Sequence, residues 1–128
     1  MLSLLGVVMG VASLFGWTRG VEPLLWVVFF VFYAWCIAQR ATKYFFLHGF
    51  FVSVINGIWI SIIHAAFYSL YTKNNPEVLQ QVSQLPPNLN PRLLMLVMGP
   101  LIGAFFGIFA GLFAWIAAKF LRRREASA

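Results

Sequence analysis

The chain is laid out as long apolar blocks divided by short polar joints. Four blocks carry the pattern: residues 1–17, 24–39, 45–71 and 93–118. A transmembrane helix needs about 20 mostly apolar residues. The third and fourth blocks exceed that length, and the first two reach it only with flanking residues. The joints hold the turn formers and the charges. Thr18 to Pro23 gathers Arg19, Gly20, Glu22 and Pro23, and Pro23 suits the first turn of a helix, where a missing N–H is harmless. Arg40 and Lys43 mark the second joint. In the third, Thr72 to Arg92, Asn75 reads as an N-cap, followed by Pro76 and by Glu77 in the first turn. Val78, Val82 and Leu85 then recur on one side at helical spacing. Pro86-Pro87 ends that element, and Asn90-Pro91 opens the last span.

The pattern predicts an all-α fold: an integral membrane bundle of four transmembrane helices in one domain over 1–121. The expected spans are about 1–17, 23–40, 45–71 and 92–120. A short surface helix over 76–84 lies on the bilayer in the third loop, and 122–128 form a basic, then polar tail. The first block is expected to be a retained helix rather than a cleaved leader, because no Lys or Arg precedes Arg19.

Composition agrees with the pattern. The chain is 62% hydrophobic and 9% charged, against roughly 45–50% and about 25% in soluble domains. A net charge of +6 does not point to nucleic acid, because the cations sit at block ends rather than along one face. Their distribution bears on topology instead. With four spans, Arg40, Lys43, Lys119, Arg122, Arg123 and Arg124 share a side, and Arg19, Lys73 and Arg92 share the other. Cytoplasmic loops carry excess Lys and Arg, so the expectation is N-in and C-in, with 72–92 outside. Arg122, Arg123 and Arg124 are expected to anchor the chain beside anionic lipid headgroups.

Two constellations stand out inside the blocks. Gly99, Gly103, Gly107 and Gly111 fall at every fourth position. In water each weakens a helix by about 0.5–1 kcal/mol relative to Ala. In lipid, helices associate through close backbone approach, and rows of small residues permit it. The row therefore predicts a packing surface on the last helix. Gly6 and Gly10 give helix one a similar spacing and make it the first candidate partner; the same helix of a second copy is the alternative. The third block carries a small and polar stripe. Gly49, Ser53, Asn56, Gly57, Ile60, Ser61, His64, Tyr68 and Tyr71 fall in a sector about 140° wide. Intramembrane polar groups point to function, and they also serve as hydrogen-bond glue between helices. Both readings stand for Ser53, Asn56, Ser61, His64 and Tyr68.

Catalytic chemistry is not expected. Glu22, Glu77 and Glu125 lie outside the blocks, and no nucleophile–base spacing or phosphate loop is present in the sequence. His48 and His64 are about 24 Å apart along a helix, too far to share a metal. Cys36 is alone. No cofactor and no metal are expected.

The phrases FFLHGF at 45–50, IHAAFYSLYTKNNPE at 63–77 and NPRLLMLVMGPLIGAFFGIFAGLFAWIAAKF at 90–120 resemble small uncharacterised bacterial inner-membrane proteins with four spans, of the domain-of-unknown-function kind. The resemblance covers about 45–120. It implies a multi-pass protein of the bacterial inner membrane and no particular activity. The leading expectation is a non-enzymatic membrane protein that packs through its glycine rows, as a self-associating bundle or as an accessory subunit of a larger complex. Its expected partners are membrane lipids, with a homo-oligomer or a larger membrane complex, and no nucleic acid. A small channel or transporter for an uncharged or anionic solute, lined by Asn56, Ser61 and His64, is the second reading. A cofactor-binding subunit using His48 or His64 is the third.

Overall fold

The structure is a computed structural model that describes the backbone of residues 2–126 and the side chains of residues 2–121. It is all-helical, with no strand among the described residues. The helices are α1 (Leu4–Leu14), α2 (Glu22–Arg40), α3 (Phe45–Ala66), α4 (Tyr68–Asn74), α5 (Pro76–Ser83) and α6 (Pro91–Ala126).

Three of these, α2, α3 and the Pro91–Leu121 part of α6, are long and apolar enough to cross a membrane. They make the chain compatible with membrane embedding. The first block falls short of a span. Its helix has 11 residues, or about 16 Å at 1.5 Å per residue, against a hydrocarbon core of about 30 Å. The reason lies in residues 15–21, which turn rather than extend the helix. Gly16 and Gly20 adopt φ of 70° and 79°, a left-handed backbone that glycine takes without steric penalty.

The other boundaries shift for local reasons. α2 starts with Glu22 and Pro23 in its first turn, as the punctuation predicts. The third block is one helix only to Ala66; Phe67, with φ −105° and ψ 36°, interrupts it before α4. α5 occupies the expected surface-helix segment, but Asn75 does not cap it with its side chain. Asn90 does act as a cap at the start of α6, where its Oδ1 accepts the Arg92 N–H at 3.0 Å. α6 runs past the expected end through the arginine run to Ala126, as Arg, Glu and Ala are good helix formers. The side chains of Arg122, Arg123 and Arg124, expected as the lipid anchor, lie outside the described ones.

α3 is the central helix. α6 packs along it antiparallel, through the glycine row. Gly99 meets Ser61 and Gly57, Gly103 meets Ser53 and Val54, Gly107 meets Phe50, and Gly111 meets Phe46. A Cβ on Gly57 would stand 2.5 Å from the Gly99 carbonyl oxygen, and one on Gly49 would stand 2.6 Å from that of Ala110. Only glycine permits so close an approach. The occupant of the row is thus α3 of the same chain; neither α1 nor a second copy fills it. α1 uses its own glycines on another side of α3, with Gly6 against Asn56 and Gly10 against Ile60 and Ile63. α2 closes the bundle with Phe30, Tyr33 and Ile37 against Ala110 and Ala114 of α6.

The inward side of α6 is small throughout. Among the described side chains its buried residues, Gly103, Gly107, Ala110, Gly111, Ala114 and Ala118, are all Gly or Ala, whereas Leu101, Phe105, Ile108 and Leu112 are exposed. A helix in water shows the reverse, with bulky apolar residues turned inward. Close contact inside and bulk outside is the arrangement expected when the surroundings are lipid.

Candidate functional site

The polar stripe of α3 divides between two neighbours. Asn56 turns toward α1 and α2 and is fully buried. Its Oδ1 accepts the Gly6 N–H at 2.8 Å, and its Nδ2 donates to Tyr33 Oη at 2.9 Å and to the Leu2 carbonyl at 3.4 Å. The first N–H groups of a helix have no partner within it. Ser3 supplies no side-chain cap to α1, so Asn56 fills that role from another helix. The far end of α1 is closed the same way. Asn75 Nδ2 donates to the Ser13 carbonyl at 2.9 Å, and Asn74 Nδ2 to the Leu14 carbonyl at 2.8 Å. This is where the side chain of Asn75 goes instead of capping α5.

His64 lies between α1 and α4. Its Nε2 is 2.6 Å from Ser13 Oγ, which donates to the Gly10 carbonyl at 2.9 Å. A hydroxyl has one proton; with that proton on Gly10, Nε2–H donates to Ser13 and Nδ1 is left as an acceptor. The ring stacks on Tyr71 at 3.8 Å between centroids. The interruption at Phe67 lets Tyr71 return over His64.

Ser53, Ser61 and His64 line a chamber of about 330 Å³ between α2, α3, α5 and α6. The size falls in the range of small-molecule sites, about 300–1,000 Å³. Glu22, Tyr71 and Gln81 add polar groups from α2, α4 and α5. Trp26, Met95, Met98 and Phe106 form the apolar wall, with the Trp26 and Phe106 rings nearly parallel at 6.4 Å. Glu22 is the charged residue of this lining among the described residues. It sits in the first turn of α2, where the helix dipole favours a carboxylate. Burial, then the carboxylates of Glu22 and Glu77, push the Tyr71 hydroxyl up to about 12, so it remains a neutral donor at physiological pH. Arg19 pairs with Glu77 at 3.1 Å, an exposed pair of small energetic weight.

Not all sequence candidates meet here. Asn56 lies outside the chamber lining, in the α1–α2–α3 network. Tyr68 also lies outside it, beneath Arg92 at 5.5 Å from ring centroid to guanidinium carbon. His48 is exposed at the opposite end of α3. Glu22, Tyr33, Asn74 and Gln81 were not legible as site residues. Tyr33 carried a signal, as a hydroxyl in the middle of an apolar block; Glu22 and Gln81 sit in joints whose placement depends on the fold. No family model, no curated protein and no solved structure matches this chain. The fold and the chamber together define a helical protein with membrane-compatible spans and one ligand-sized site at its loop end.

Proposed function

We propose that the protein is a non-enzymatic integral membrane protein that binds a small organic cation with an apolar body. The chamber carries this reading. A carboxylate and two aromatic residues, Glu22, Trp26 and Tyr71, flank a space whose remaining wall joins the neutral polar groups of Ser53, Ser61, His64 and Gln81 to the apolar side chains of Met95, Met98 and Phe106. Aromatic faces and a carboxylate attract a poorly hydrated cation, and methionines adapt to varied apolar shapes. An anionic solute would meet Glu22, so the expectation of an uncharged or anionic solute is revised.

In this reading α2, α3 and α6 span the membrane and α1 inserts beside α3 for part of its depth. α5 lies at the surface over the chamber. The basic end, with Arg40, Lys43 and the C-terminal arginines, faces the cytoplasm; the excess of cations there supports it. The proposal keeps the bacterial inner membrane as the setting that the resemblance over 45–120 implies. The protein acts alone or as an accessory subunit, and its glycine rows serve its own packing.

Purified full-length chain in neutral detergent would be titrated with benzyltrimethylammonium and with benzenesulfonate, reading tryptophan fluorescence. The expected result is saturable binding of the cation, little response to the anion, and weakening of about tenfold or more in Glu22→Gln. Equal responses to the two probes, or cation binding unchanged in Glu22→Gln, would overturn the proposal.

A further inference from the structure

At the other end of the bundle lies a second cavity, of about 510 Å³, under the α2–α3 corner. It shares no lining residue with the loop-end chamber. Its mouth carries Arg40, Lys43 and His48, and its inner wall is built from Cys36, Ile37 and Val52. No carboxylate lines it among the described residues. Arg40, Lys43 and His48 are exposed, and neither Arg40 nor Lys43 is held in a salt bridge among the described residues. Tyr44, also at the mouth, has φ 57°, which marks the sharp corner where α2 hands over to α3.

The geometry points to a binding site for one anionic phospholipid, with its phosphate at Arg40 and Lys43 and an acyl chain along Cys36, Ile37 and Val52. Three features converge on that chemistry. The cations stand at the end of two membrane-compatible helices, which is headgroup depth. A basic pocket between helices at that depth is suited to anionic headgroups. The wall behind them, Cys36, Ile37 and Val52, is apolar, so it accepts a chain that a free anion lacks.

Native mass spectrometry of the full chain in detergent would compare phosphatidylglycerol with phosphatidylcholine of identical chains, and inorganic phosphate with both. The expected result is at least about tenfold tighter retention of phosphatidylglycerol. The Arg40→Gln, Lys43→Gln double variant should lose about thirtyfold, at the usual strength of a basic side chain near an anionic surface. The triple variant Arg122→Gln, Arg123→Gln, Arg124→Gln should retain the lipid as the parent does. Arg40 and Lys43 are exposed, so their replacement leaves the fold intact, and unaltered thermal midpoints of both variants would verify that the folds compared are the same. Equal retention of the two lipids would overturn the proposal. So would a double variant that binds like the parent, loss confined to the tail variant, or inorganic phosphate displacing the lipid at comparable concentration.

Discussion

Asn56 shows how one polar side chain can organise a lipid-embedded bundle. It joins three helices by capping α1, holding the Tyr33 hydroxyl and reaching the Leu2 carbonyl. Asn56→Ala leaves the Gly6 N–H and the Tyr33 hydroxyl buried without this partner. The expected destabilisation is about 1–3 kcal/mol, measured by unfolding in mixed micelles; an unchanged midpoint would mean that the network carries no weight. Gly6→Ala should be at least as damaging, because its Cβ would stand 2.7 Å from the Asn56 Cα, which is backbone and cannot swing away. Ser13→Ala is the milder case. It removes the partner of His64 Nε2 and leaves the His64–Tyr71 stack in place, so it should destabilise by about 1 kcal/mol.

At the scale of elements, the account rests on small faces turned inward. Gly107→Leu forces a side chain against the Phe50 carbonyl oxygen, 3.0 Å from an added Cβ. Overpacking costs about 1–3 kcal/mol, so the variant should lose thermal stability. Ile108→Leu, on the neighbouring exposed position, should stay within about 0.5 kcal/mol. If the two behave alike, the row faces lipid. The existence of this face was legible in the sequence, since a four-residue spacing of glycines specifies a side of a helix. Its occupant was not. Gly49, Ser53, Gly57 and Ser61 form a second small row at the same spacing, but it lay inside a stripe defined by polarity, and the stripe mixed the α6 contacts with the α1 contacts. The length of α1 was also hidden. Residues 1–17 carry no charged side chain, and only the left-handed backbone at Gly16 and Gly20 shows where helix gives way to turn. Asn75 reads as a cap because its neighbours fit one; a nearby α1 carbonyl drew its side chain away.

At the scale of the whole molecule, the bundle has two unlike ends. The loop end holds the chamber with Glu22 and Tyr71, and the corner end holds the cavity with Arg40 and Lys43. Reporter fusions at residues 80 and 128 should therefore report opposite sides of the membrane, with the C-terminal fusion cytoplasmic; the same side for both would refute the arrangement of spans. The chamber was only half legible, since Ser53, Ser61 and His64 share a helix whereas Glu22 and Gln81 reach it through the fold. The central claim is that α3 and α6 of one chain close on each other through their small faces. A Cβ at Gly99 would fall against the Cβ of Ser61, nearer than the roughly 3.5–4.5 Å of a disulfide, so the two helices must part by about 1–2 Å at that point to admit the bond. The most direct measurement is oxidation of the Cys36→Ser, Ser61→Cys, Gly99→Cys chain in membranes, followed by denaturing electrophoresis and mass analysis. The account predicts a monomeric band with an intrachain cross-link whose yield is independent of protein density. Cross-linked dimers in its place, or free thiols at both positions in a chain whose thermal midpoint matches the parent's, would contradict it.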